Sequence, residues 1–296
     1  MALDHYVPQV HLRNFYSPSL NHKQMYGVKK STIYKFPCRS KDVCRIEDGS
    51  TNSYLRESRV IEDFLRDIEP KYNRAIEALR NGQMDRDVAY VIAGFVSYVA
   101  TCSPTAMRVH SDPLKRIVGE TARMMDSQGK FGNAPNAFSG KTLTELIDQG
   151  IIRVDVDQKY PQAIGITNIL QMTARFGNGW WDIIINEEAD HSPFFTSDFP
   201  AAIERNENPN LKNRIVPLAP DIAVRMTGNP SRESGMDLNF PLLRYRTLRP
   251  RAAEIRAINE TIVRNAEELV FFRDDRPWVA GFVKRNSRHR LEPTTE

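Results

Sequence analysis

A chain of 296 residues, 41% hydrophobic and 26% charged, is long enough for one or two domains of about 100–200 residues and apolar enough to bury a core, which excludes wholesale disorder. Its formal net charge of +4 permits contact with anions without demanding it. The Lys and Arg residues are spread along the chain, unlike the single stripe of a dedicated nucleic-acid binder.

Two Arg-rich stretches, 244–256 and 284–290, read first as solvated faces and tails. Cys38, Cys44 and Cys102 are too sparse, and odd in number, for a secreted disulfide framework. Cys38 and Cys44 also lack the second pair that a zinc knuckle needs. Asp4, His5 and Arg13 interrupt any apolar opening run. The longest apolar stretch, Val88 to Cys102, falls short of the about 20 residues that cross a bilayer. These features predict a cytoplasmic protein without membrane association.

The first sixty residues look irregular, with short extended pieces at Val28 and Tyr34-Lys35-Phe36. Ile61, Leu65, Ile68, Tyr72, Ile76 and Leu79 then recur at helical spacing, up to a stop at Gly82, with a kink or break expected at Pro70. A second helix from Asp85 or Asp87 carries Val88, Val91, Ile92, Phe95, Val96 and Val99, apolar nearly all round and therefore buried. Pro104 kinks or ends it. Asp112-Pro113 reads as an N-cap with proline at the first helical position, launching a helix through Met125.

Gly129 to Gly140 reads as a mobile loop, and Thr142-Leu143-Thr144-Glu145 as a capping box before a short helix that Gly150 stops. After about residue 178 the pattern turns to short branched and aromatic runs: 181–185, 193–197, 214–216 and 222–226. A long helix is expected over 251–272, a strand over 278–283, and a free tail at the end. The fold class predicted is α+β: a helical N-terminal and middle half packed with a mostly antiparallel sheet from the C-terminal half. One domain would span 1–286 (helix-rich 58–177, strand-rich 178–286), with a tail at 287–296.

No Gly-rich phosphate loop, Gly-x-Ser-x-Gly elbow or His-Glu-x-x-His site is present. Three polar clusters remain. In His5-Tyr6-Val7-Pro8-Gln9-Val10-His11-Leu12-Arg13-Asn14-Phe15, Pro8 suits the first position of a short helix. Gln9 and Arg13, four apart, would share a face, with Leu12 and Phe15 turned to the core. His5, Gln9 and Arg13 could converge on an anionic ligand, or simply pin the N-terminus.

Glu62 and Glu69 lie two helical turns apart, roughly 10 Å along the axis, too far to grip one metal ion. A surface pair, Glu62 with Arg66, is the commoner outcome. Thr196, Ser197 and Asp198 end an aromatic run before Pro200, a place for chemistry or for an ordinary turn. Asp190-His191 alone do not define a metal site.

In this order the motifs resemble the bacterial family catalogued as domain of unknown function 4238. The resemblance rests on His5-Tyr6-Val7-Pro8-Gln9, Leu12, Phe15, Ile61-Glu62, Ile68-Glu69, Pro104, the run Phe195 to Pro200, Pro217-Leu218-Ala219-Pro220 and Ile258-Asn259. Each motif is weak, and their order over nearly the whole chain carries the likeness. Two departures stand out. The family pattern places a Gln and an Arg before the helix-ending proline, where this chain has Tyr98-Val99-Ala100-Thr101-Cys102-Ser103, which would pass an arginine role to Arg108. It also favours Asn at the position of Phe199.

The resemblance supplies no reaction, but it implies that polar residues distant in sequence meet in one pocket: His5, Gln9, Arg13, Glu62, Glu69 and Asp198. The expectation that follows is a hydrolase acting on a phosphate-bearing substrate, a nucleic acid or nucleotide. His5, Glu69 or Asp198 would be catalytic, and Gln9, Arg13, Asn14, Glu62, Thr196 and Ser197 ligand-binding. A divalent ion on Asp198 and one Glu would be Mg²⁺ or Mn²⁺, which suit hard oxygen ligands. The alternatives are a non-catalytic sensor that binds an anion or a partner, and a purely structural role for the shared motifs.

Overall fold

The computed structural model describes residues 3–135, 138–228 and 236–293. Its centre is the run that the sequence marks as apolar all round. That run folds as α4 (Arg86–Cys102), opened by the Asp85 carboxylate, which accepts from the Val88 N–H at 2.8 Å. Against it pack α2 (Val60–Ile68) and α3 (Tyr72–Arg80), separated by a 3₁₀ turn over Glu69–Lys71, and α8 (Ile169–Gly177), which follows α7 (Lys159–Thr167). Pro70 therefore breaks the amphipathic stretch, because it lacks the N–H that would carry an α-helix through.

The strands form three sheets. A short pair joins β1 (Leu3–His5) to β4 (Arg45–Glu47). The five-stranded sheet is built from β5 (Trp180–Ile185), β7 (Ala202–Arg205), β8 (Lys212–Ala219), β9 (Ile222–Thr227) and β10 (Arg244–Leu248), in the order β10-β5-β9-β8-β7. Only β10 and β5 run parallel in it. The four-stranded sheet has the order β3-β2-β11-β6, from β2 (Met25–Lys29), β3 (Tyr34–Cys38), β6 (Thr196–Ser197) and β11 (Leu269–Phe272).

Period-two alternation sorts the five-stranded sheet's side chains. Trp181, Ile183, Val216, Val224 and Met226 join α2, α3 and α4 in one core cluster. Ile184, Ala202, Ile215 and Ala223 join α9 (Ala252–Asn265) and α10 (Pro277–Asn286) in a second, which also takes Val28, Val270 and Phe272 of the four-stranded sheet. A third cluster, Val7, Leu12, Phe15, Met25, Cys38, Val43, Cys44 and Phe271, anchors the N-terminal segment.

The α+β class and the division into early helices and late sheets hold, with β2 and β3 as an early contribution to a sheet otherwise drawn from late residues. Four local expectations are corrected. The helix placed over 251–272 stops at Asn265. Ala266 turns extended (ψ 137°), and Leu269–Phe272 becomes a strand between β2 and β6. The strand expected over 278–283 is α10, whose buried Val279, Phe282, Val283 and Asn286 repeat every three to four residues; a short apolar run does not itself fix the period.

Asp112-Pro113 starts no helix. α5 (Pro104–Ser127) is already open, capped by Ser103 with Pro104 first, and Pro113 sits inside it. The tail is not free up to residue 293: His289 and Leu291 carbonyls accept from Lys30 and Arg108. The capping box at Thr142 is present and opens α6 (Leu143–Asp148). Of the expected loop from Gly129 to Gly140, residues 136–137 lie outside the described residues, as do 294–296 of the tail.

Among the described residues no single helix is long and apolar enough to cross a membrane. α4 and α5 reach that length only as a pair bent by 53°, and α4 is buried in the protein.

Gly179 joins α8 to β5 where a Cβ would lie 2.2 Å from the Thr227 carbonyl oxygen and 3.0 Å from that of Phe176. Backbone cannot yield as a side-chain tip does. Gly179→Ala is therefore expected to cost about 2 kcal/mol or more. Gly119→Ala, in α5 with nothing closer than 3.8 Å, is expected to stabilise by about 0.5–1 kcal/mol through helix propensity. Urea-unfolding midpoints of the two variants check the contrast.

Candidate functional site

The site begins with a five-residue helix too short to be stable alone. α1 (Gln9–Arg13) follows Pro8, which is the N-cap rather than the first helical residue. Tertiary contacts hold it. His11 and Leu12 are buried while Gln9 and Arg13 face outward. The His11 ring is fully enclosed. Its Nδ1 lies 2.8 Å from the Tyr72 hydroxyl and its Nε2 lies 2.8 Å from the Thr196 hydroxyl. The ring stacks on Phe95 at 4.8 Å between centroids. Burial pushes the imidazole down to about 3, so the ring is neutral at pH 7. One nitrogen donates, the other accepts, and the two hydroxyls take the complementary roles. Asn14 adds a bond to Asn73 of α3 at 3.0 Å.

Asp198, expected in the pocket, lies elsewhere. Its buried carboxylate accepts from the backbone N–H groups of Glu267, Glu268 and Leu269 at 2.9, 2.7 and 2.8 Å, binding the end of β6 to the start of β11. Burial pushes it up to about 6 against the pull of those amides and of Lys30. Ser197 is likewise occupied, its Oγ accepting from Phe199 N at 3.1 Å. Thr196, Ser197 and Asp198 thus tie elements together and do not line the cavity of His5 and Glu69. Among the described residues no group of three or more His, Cys, Asp or Glu side chains could hold a metal ion, and Asp198 does not line the cavity that Glu62 and Glu69 share. Arg108 is also remote from that cavity, held by Glu267 at 3.1 and 3.0 Å.

The other five members of the expected pocket do share one space. A cavity of about 690 Å³ is lined by His5, Gln9, Arg13, Glu62 and Glu69, with Asp4 and Arg66 among the remaining walls. β1 supplies His5, α1 supplies Gln9 and Arg13, and α2 and the 3₁₀ turn supply the two glutamates. Tyr98 of α4 fixes the floor, its hydroxyl donating to the His5 carbonyl oxygen at 2.8 Å.

Two of the carboxylates are spoken for. Arg59 donates to Asp4 at 3.2 Å and to both oxygens of Glu62, by Nε at 3.0 Å and by its second nitrogen more closely. The expected Glu62–Arg66 pair is not made, and Arg66 bonds Asp63 instead. Gln9 Oε1 accepts from Arg13 and from Ser40, each at 3.2 Å.

Two titratable groups in this cavity, His5 and Glu69, have no ion-pair partner, although the backbone at Lys41 and Ser40 acts on the His5 ring. His5 Nε2 is buried without a hydrogen bond, and burial pushes the ring's pKa down. The Glu69 carboxyl makes no hydrogen bond or ion pair with any described residue; burial pushes its pKa up, opposed only by the charge of Arg13. An imidazole held neutral and a carboxyl held toward its acid form are the ingredients of acid–base chemistry.

Sequence reasoning missed Asp4 and Arg59, which brace the cavity, and passed over His11, which seats α1. The three-residue spacing of Arg59 and Glu62 was the available signal for the first. Nothing in the local sequence separates a buried bridging histidine from a solvated one.

A family model described as "Protein of unknown function (DUF4238)" matches residues 4–276. The chain belongs to that family. No curated protein and no solved structure matches the chain. The DUF4238 match takes in the His11 bridge and every residue that lines the cavity except Leu3.

His11→Gln is expected to cost about 2–4 kcal/mol at pH 7, since an amide cannot reach both hydroxyls and a buried group is stranded. His11 has a folded pKa of about 3 against about 6.5 unfolded. Its contribution to stability is therefore complete above pH 6.5 and falls by about 1.4 kcal/mol for each pH unit below that. The deficit of His11→Gln should shrink accordingly between pH 7 and pH 5. A deficit constant over that range in urea unfolding would contradict a neutral bridging ring.

Proposed function

We propose that the cavity of His5, Arg13 and Glu69 is an acid–base site that hydrolyses a small substrate bearing one anionic group, a phosphate ester by class. The observation that carries this is one cavity lined by an imidazole whose Nε2 makes no hydrogen bond and a carboxyl without an ion pair, shifted in opposite directions by burial. A turn of the His5 ring that brings Nε2, buried without a hydrogen bond, to the cavity lets the neutral imidazole take a proton from water as that water attacks. Glu69, protonated more readily than an exposed glutamate, gives its proton to the leaving oxygen. Arg13 is the lining cation that no carboxylate bonds directly. Its guanidinium fork suits two oxygens of a phosphoryl group and steadies the charge that develops there.

A cavity of about 690 Å³ suits a nucleotide-sized ester better than a nucleic acid strand. A second reading, recognition without turnover, draws on the Arg59 clamp, which fixes Asp4 and Glu62 before any ligand arrives.

The test is hydrolysis of chromogenic phosphomonoester, phosphodiester and carboxylic ester substrates, with and without Mg²⁺ or Mn²⁺. If the purified chain cleaves a phosphate ester, Glu69→Gln and His5→Asn should each lower kcat by about 10²–10⁴-fold while unfolding at the wild-type temperature. Arg13→Gln should raise KM more than it lowers kcat. Activity that survives both Glu69→Gln and His5→Asn would sink the proposal. Binding of a phosphate ester with no turnover would select the recognition reading.

A further inference from the structure

A second recess, of about 320 Å³, opens between α9, α10 and the segment at His191–Ser192. Its apolar floor is built from packed rings. Phe282 is buried, and Trp278, 40% exposed, stacks on Phe195 at 5.7 Å with 19° between the planes. Phe282 meets the indole edge-on at 5.9 Å. Asn259 fixes the neighbouring backbone, accepting from Phe195 N at 2.8 Å and donating to the Pro193 carbonyl at 2.9 Å. An indole already packed on two neighbouring rings loses less freedom than a free one when a second flat ring is laid against it.

The rim carries a single sign of charge. Arg256 of α9 and Arg285 of α10 line the recess with the His191 ring, and none of the lining residues is Asp or Glu. Neither guanidinium has an ion pair or hydrogen bond with any described residue, whereas those of Arg264 and Arg273 on the neighbouring segments are paired. Two unpaired guanidiniums facing one small space are mutually repulsive until an anion sits between them, and each presents a planar fork matched to phosphate or carboxylate. The volume lies at the small end for ligand pockets, enough for one ring system and one anionic group and too little for a polymer.

We propose that this recess binds a small ligand made of a flat ring bearing one phosphate or carboxylate, with the ring against Trp278 and the anion between Arg256 and Arg285. The proposal is independent of the chemistry at His5 and Glu69. Adenosine 5′-monophosphate and benzoate serve as the two probes, titrated into the full chain and followed by tryptophan fluorescence and calorimetry. Adenosine and inorganic phosphate are the half-ligands.

Saturable binding of either probe, tighter than its halves, is expected. Arg256→Gln and Arg285→Gln should each weaken it about tenfold at unchanged melting temperature, and Trp278→Leu should remove the fluorescence change. Binding of the nucleotide alone assigns a phosphate ligand, and binding of benzoate alone a carboxylate; both outcomes support the recess. No binding of either probe at millimolar concentration overturns the proposal. So does affinity unchanged in the Arg256→Gln/Arg285→Gln double variant. A single-stranded oligonucleotide that binds more tightly than the mononucleotide, and depends on the same arginines, would replace it with a polymer surface.

Discussion

The neutral imidazole of His11 is the constraint on which the N-terminal third depends. It joins three elements that the chain supplies at positions 11, 72 and 196, and it does so in the buried interior. Such a bridge is worth little net energy when complete and much when broken, because either hydroxyl left alone in the core bears its full desolvation cost. The bridge therefore acts mainly on specificity: α1 has one position in which all three groups are satisfied. Asp198 applies the same logic to the far end of β6, gathering three backbone amides that would otherwise open β11 without acceptors.

The cavity is a consequence of that seating. Once His11 and Leu12 are drawn inward, helical geometry leaves Gln9 and Arg13 on the opposite face, over α2 and the 3₁₀ turn. The break at Pro70 ends α2 at Ile68, so Glu69 opens the 3₁₀ turn at the cavity's edge. Arg59 then neutralises Asp4 and Glu62, which isolates Glu69 as the carboxylate whose protonation the surroundings leave open. Structural and chemical roles are thus divided among residues of the same type only a few positions apart.

Much of this division was legible in part. The all-round apolar stretch from Val88 announced the core helix, and the capping box at Thr142 announced its short helix, since both signals are local. The convergence of His5, Gln9, Arg13, Glu62 and Glu69 followed from motif order, not from chemistry at any one position. What stayed hidden depends on distant partners. Asp198 and Glu69 are both acidic residues beside a proline-containing turn, and only burial against β11 or against open space tells them apart. Leu269–Phe272 reads as the last turn of a helix until β2 and β6 appear on either side of it. Trp278–Val283 has an apolar density that fits either period, and its packing on α9 decides.

The order β3-β2-β11-β6 has a bearing on how the molecule is made. β2 leaves the ribosome early, yet its inner edge pairs with β11, which lies some 240 residues later in the sequence. Closing so long a loop comes late and slowly relative to the assembly of the local helices. Until that closure, one edge of the β2–β3 hairpin stays bare, and the third core cluster lacks Phe271. The nascent chain would then present an open strand edge beside exposed aromatic surface, the kind of intermediate that chaperones shield. Synthesis and folding are therefore coupled, with the N-terminal segment fully seated only once β11 has been made.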